Sequence, residues 1–219
     1  MDDFWQQITS IFRPGDAGLS SRERSRIRDF RLLTLLGAVL ILLFGPLYTA
    51  TSPEALDPLW ARLGVAGLLG GLVPASFVSR FVRDHFVTWL RGALFFVMIW
   101  LVATTALNHF NGEHALGLVL GYAIIVAFVG VSAQSGRPVA WFSVFSLVLV
   151  AGGVGASYAA GPGPEISPLV LLAGIAGVSL AEGVAIHRLL SMRQALRNRE
   201  EQLHVITGNV SEEHLPVDL

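Results

Sequence analysis

The sequence predicts an all-α fold: a six-helix transmembrane bundle with both termini on the cytoplasmic side, continued by a cytoplasmic C-terminal helix. Three observations lead there. Of 219 residues, 53% are hydrophobic and only 14% charged, with a mean hydropathy of +0.61; a soluble domain needs more polar surface than this. The apolar residues gather in runs close to the ~20 residues that cross a ~30 Å hydrocarbon core as a helix. The arginines fall on alternate connections between those runs.

Six spans follow, at about residues 32–50, 59–78, 86–107, 115–132, 139–159 and 168–187. Backbone groups in lipid must be satisfied within their own segment, so each span is expected to be helical. Pro46 and Pro74 lie inside spans and predict kinks. All fifteen basic residues are arginine. Arg13, Arg22, Arg24, Arg26, Arg28 and Arg31 precede the first span. Arg80, Arg83 and Arg91 bracket the connection after the second, and Arg137 follows the fourth. Arg188, Arg193, Arg197 and Arg199 follow the sixth. The other three connections carry Glu54, Asp57, Glu113 and Glu165 but no basic residue, and only Arg62 breaks the pattern. Positive residues stay inside, so six spans with N-in and C-in satisfy the count in the inner (plasma) membrane, whereas five or seven would not. Tyr48, Trp60 and Tyr158 are expected at the outer interface, and Trp89 and Trp141 at the inner one.

Composition also narrows function. The net charge of −1 sets up no field that would draw nucleic acid, and the absence of cysteine excludes disulfides, thiolate metal sites and a cysteine nucleophile. No secretory signal is visible ahead of the first apolar run. The outer loops are too short for a binding domain, so a stimulus must act from the bilayer, from a crevice between helices or from the cytoplasm. No catalytic set is recognisable, so the chain does not read as an enzyme, and no cofactor or metal site is assigned.

Within the spans, Glu182 is the one carboxylate well inside, close to His187 and Arg188. An ionised group there costs at least ~2.5 kcal/mol, so it should face protein or water. Glu182 and His187 are therefore candidate sensing or ion-binding groups; the plainer readings are a contact that specifies helix pairing or a boundary residue reaching the interface. Small residues recur at every fourth position at Ala173, Gly177, Ala181 and Ala185, and again at Gly117 and Gly121. They permit close helix approach, either within the bundle or between two copies. The loop from Asn108 to His114 brings His109, Glu113 and His114 together, residue types that bind zinc, but at a spacing that matches no metal motif. Phe4, Trp5, Ile8, Ile11 and Phe12 share one side of a short amphipathic helix that could lie on the inner leaflet or on the bundle. The arginine-rich stretch 20–31 reads as a solvated helix facing anionic headgroups.

Beyond the last span, Leu189, Met192, Leu196, Arg199, Leu203 and Ile206 are spaced by 3, 4, 3, 4 and 3 residues, a heptad seam with one charged member. Stepping back by the same intervals reaches Ala185, Glu182 and Val178, so Glu182 shares a face with the seam if the helix is unbroken. The alternative is a frayed amphipathic tail.

The run Arg199-Glu200-Glu201-Gln202-Leu203-His204-Val205-Ile206-Thr207-Gly208-Asn209-Val210-Ser211-Glu212 resembles the linker and leading helix of a PAS domain in bacterial membrane sensors. The resemblance covers only these residues. It implies a multi-span input region joined through a helix to PAS modules and then to a histidine kinase or diguanylate cyclase. The residues by which that family binds ligand or performs catalysis lie further on than this run, so none is transferred. The expected organisation is a cytoplasmic N-terminal segment at 1–30, a transmembrane domain at 31–187, a coiled-coil signalling helix at 188–212 and a disordered tail at 213–219. The expected function is a sensory input module, a truncated receptor or an orphan one, homodimeric through span six and the C-terminal helix and signalling to a cytoplasmic partner. A small transporter or channel using Glu182, with soft points at Gly70-Gly71 and Gly152-Gly153, is the alternative. The stimulus stays open between lipid state, tension, a quinone-like molecule and pH.

Overall fold

The computed structural model describes residues 20–51, 56–133, 135–161 and 163–212; the amphipathic segment at Phe4–Phe12 and the tail at 213–219 lie outside them. Among the described residues there are seven helices and no strand. They are α1 (Ser21–Thr51), α2 (Leu59–Val78), α3 (Arg80–Asp84), α4 (Phe86–Leu107), α5 (Gly112–Ser132), α6 (Arg137–Ala160) and α7 (Pro168–Glu212). Five of them, α2, α4, α5, α6 and the first part of α7, are long and apolar enough to cross a membrane. The chain is thus an all-helical, multi-pass membrane protein.

The helix ends follow local chemistry. Ser20 and Glu23 form a reciprocal capping box at the start of α1: the Glu23 N–H donates to Ser20 Oγ (3.3 Å) and Ser20 N–H donates to Glu23 Oε2 (3.0 Å). The Ser20 hydroxyl also donates to that carboxylate, and these bonds hold it below the usual carboxylate range. α1 then continues without a break into its apolar half. The arginine-rich stretch is therefore the first turns of the same rod, not a separate helix. Asn111 caps α5 by accepting from the His114 N–H at 2.9 Å.

α4, α5, α7 and α6 pack in a ring, and the α1–α2 hairpin docks on α4 mainly through α2. α5 is the most enclosed of the five apolar helices, with 44% of its apolar stretch buried, and α7 the least, with 17%. In lipid the hydrophobic effect does not drive helices together, so close packing and hydrogen bonds must. Met98, Tyr122, Val126, Phe142 and Ile175 are fully buried at the centre. Phe95 meets Phe142 and Phe145 edge-on at 5.0 and 4.8 Å. The Tyr122 hydroxyl lies 3.0 Å from Ser143 Oγ on α6 and 2.5 Å from Ser179 Oγ on α7, a polar tie across three helices.

Glycine sets the tightest crossing. A Cβ on Gly130 would stand 2.1 Å from Cδ1 and 2.6 Å from Cγ1 of Ile186, so α5 and α7 touch there only because Gly130 has none. Gly130→Ala is expected to lower stability by about 1–3 kcal/mol, with Ile186→Ala in the same chain recovering much of the loss. Gly177→Ala, where a Cβ would meet nothing within 4 Å, should leave the monomer unchanged. Thermal unfolding in detergent separates the three.

The stripe Ala173, Gly177, Ala181 and Ala185 lies exposed on α7 and does not pack within the bundle. Gly121 does face another helix: a Cβ there would meet Leu101 Cδ1 at 2.9 Å; Gly117 is half-buried on α5.

Candidate functional site

Two ends of the bundle can be told apart by their side chains. At one end, Arg31 is completely buried, contrary to its expected place on a solvated face. Its Nε donates to Ser76 Oγ (2.8 Å), its Nη2 donates to the Ser76 carbonyl (3.3 Å), and its guanidinium lies 4.1 Å from the Phe77 ring centroid. Arg91 repeats the arrangement, donating from Nε to Ser132 Oγ (3.0 Å) and from Nη2 to the Ser132 carbonyl (2.5 Å). Each serine hydroxyl also donates to the carbonyl three residues earlier, Val73 at 2.6 Å and Val129 at 2.8 Å. The reason is common to both. The last carbonyls of α2 and α5 have no helical partner, and a cation is favoured at a helix C-terminus. An arginine from the N-terminal half of the preceding long helix takes one such carbonyl in each, that of Ser76 or of Ser132. The sequence signal was present but unread: Val-Pro-Ala-Ser at 73–76 and Val-Gly-Val-Ser at 129–132 end two apolar runs.

At the opposite end sits Arg62, the exception to the arginine pattern. Its side chain is 3% exposed and forms an ion pair with Asp57, itself 2% exposed. Arg62 Nη1 also donates to the Ile41 carbonyl at 2.9 Å, and the guanidinium carbon lies 5.5 Å from the Trp100 ring centroid. α1 makes the space. A Cβ on Gly45 would lie 2.8 Å from Nη1, and Pro46, which lacks an N–H, interrupts the backbone ladder of α1 next to the carbonyl that Arg62 takes.

From this ion pair a groove of about 450 Å³ runs between α1 and α5, with α4 as its back wall. α1 contributes Gly37, Ile41 and Phe44, and α4 contributes Leu94, Val97 and Trp100. Gly117, Gly121 and Ile124 line it from α5. Its few polar residues include Arg62, Trp100 and Glu113 near one end and Thr34 towards the other. Such a cleft has the size of a small-ligand site and the lining of a lipid-facing one. α5 is shared between the groove and α7: one face borders the groove, while Tyr122 and Gly130 on another touch α7.

The loops at this end are tied together. The Asn108 side chain accepts from the Leu56 N–H (2.7 Å) and donates to the Leu56 carbonyl (3.0 Å), and the Glu165 N–H donates to the His109 carbonyl (2.8 Å). His109 and Phe110 turn the chain with φ of 51° and 49°. The His109 ring faces Ser157 at 3.4 Å, whereas His114 is buried against Asn111 at 2.8 Å. The two imidazoles serve different contacts, and among the described residues no group of three histidine, cysteine or acidic side chains gathers to hold a metal.

Glu182 is half-buried on α7 and, among the described residues, makes no hydrogen bond or ion pair; His187 is exposed. Leu189 is half-buried, and Met192, Leu196 and Arg199 are exposed. The backbone of α7 is helical through Leu203 and Ile206, whose side chains are outside the description. Trp60 and Tyr158 are exposed at the Arg62 end and Trp89 and Trp141 at the Arg91 end; the side chain of Tyr48 lies outside the description. No protein-family model, curated protein or solved structure matches the chain.

Proposed function

We propose that the chain is a membrane signalling input module in which the groove between α1 and α5 receives the stimulus, α5 relays it and α7 carries it out of the bilayer. The observation that carries this reading is the continuity of α7, which runs helical over 45 residues from Pro168 to Glu212 with no interruption where the apolar stretch gives way to the polar one. A rod of that length transmits rotation or translation to whatever it joins. Met192 and Leu196, 62% and 61% exposed, are apolar side chains left uncovered on its polar half, as a seam awaiting a second copy would be. In this reading α1 is the sixth span, both termini are cytoplasmic, and Asp57 neutralises the one arginine that departs from the positive-inside count. The small-residue stripe on α7 and Glu182 face the dimer partner, and the PAS-like run joins the rod to its output.

The chain has no cysteine, so a single Leu196→Cys substitution tests the pairing cleanly. Oxidation in native membranes should give a disulfide-linked dimer from Leu196→Cys and little from Arg193→Cys. Gly177→Leu, which crowds nothing within the monomer, should reduce that dimer several-fold. Equal crosslinking at both positions, or none, would remove the lever.

A further inference from the structure

We infer that the bundle carries a binding site for a phosphate-bearing anion, the headgroup of a membrane phospholipid, in the pocket at its arginine-rich end. The pocket has a volume of about 680 Å³ and lies where α1, α3, α4 and the end of α5 meet. Three guanidinium groups border it, Arg26, Arg83 and Arg91, against two carboxylates, Glu23 and Asp84. Both carboxylates are already engaged. Glu23 caps α1 through Ser20, and Asp84 lies 3.1 Å from Arg83 Nε. Arg26 and Arg91 face the same space with no carboxylate within ion-pair distance among the described residues; Arg91 has only the neutral groups of Ser132, and Arg26 lies 5.8 Å from the Phe30 ring centroid. Two like charges bordering one partly desolvated cavity repel each other, and an anion between them relieves this.

The backbone adds to the same sign. Phe86 and Val87, which border the pocket, open α4, and the α4 N-cap His85 makes no side-chain capping bond. Pro138, also on the pocket, stands in the first turn of α6, whose N-cap Gly136 has no side chain to offer. Two long helices thus point uncapped positive ends towards a site that already holds excess arginine. Ile27, Phe86 and Val87 give the pocket an apolar wall, and Ser135 adds a neutral hydroxyl to its rim. With Trp89 and Trp141 exposed at this end of the bundle, the pocket sits at headgroup depth, where a phosphodiester can meet the arginines while its glycerol and acyl portion lies along that wall.

The test uses the full chain reconstituted in equal amounts of phosphatidylglycerol and phosphatidylcholine, with retained lipid counted by native mass spectrometry. Wild-type protein should keep phosphatidylglycerol in preference, Arg26→Glu should lower that preference about fivefold or more, and Arg26→Lys should keep most of it. Arg26 is exposed, so these variants should fold, which an unchanged thermal midpoint in phosphatidylcholine alone verifies. A parallel arm adds inorganic phosphate to protein in phosphatidylcholine nanodiscs. An Arg26-dependent thermal shift there, without lipid preference, would retain the anion site and assign it a soluble phosphate source. Equal retention of both lipids with no phosphate response, or a preference that survives Arg26→Glu, overturns the site.

Discussion

Asp57→Ala should be the most damaging single substitution in the membrane domain, lowering stability by about 3–5 kcal/mol, the range for a buried charge deprived of its partner. Arg62 would then remain enclosed beneath Gly45, with the Ile41 carbonyl as its one remaining hydrogen-bond acceptor among the described residues and the Trp100 ring nearby. Arg62→Met should cost a comparable amount, because it leaves the Asp57 carboxylate buried at 2% exposure without the ion-pair partner it has among the described residues. The double variant Asp57→Ala/Arg62→Met should cost clearly less than the sum, since neither charge is then stranded. Thermal unfolding of the four proteins in one detergent completes the cycle. Additive losses would mean that the two side chains act independently and that the pair does not close the end of the groove.

If α7 works as the proposed lever, Ser191→Pro should uncouple its polar half from the membrane-spanning part while leaving the bundle in place. Ser191 lies just past His187 and Arg188, and its hydroxyl donates to the His187 carbonyl at 2.6 Å, a bond within one turn. Proline there removes a backbone donor and clashes with the preceding turn, costing about 3 kcal/mol in a helix interior. The bundle contacts that hold α7, Ile175, Ser179 and Ile186, all lie earlier. Expression, membrane insertion and the unfolding midpoint should stay close to wild type, whereas disulfide capture through Leu196→Cys should fall at least several-fold. Undiminished capture would show that the polar half of α7 associates independently of the membrane-spanning part, and the proposed lever would fail.

Much of the architecture was legible in the chain before any coordinates, because lipid imposes a simple rule. A segment that cannot expose its backbone must be helical and must carry enough apolar residues to reach across. The spans at 59–78 and 86–107 coincide with α2 and α4, and α5 and α6 differ from expectation by a few residues at their ends. The continuity of α7 was foreshadowed by the absence of glycine and proline between Gly183 and Thr207. Reading the 20–31 stretch as solvated misjudged Arg31, because polarity alone does not tell a headgroup contact from a helix-end contact. Arg62 looked like noise in a charge count for the same reason.

Local sequence thus determined which segments are helical, which are apolar enough for lipid and where the arginines gather. Tertiary structure alone decided what those arginines do: Arg31 and Arg91 satisfy the ends of neighbouring helices, Arg62 is neutralised within the bundle, and Arg26 is left facing a pocket. Hydropathy and periodicity are properties of one helix. The partner of a buried charge is decided by a helix 45 residues away for Arg31 and Ser76, and by the missing Cβ of a glycine for Arg62.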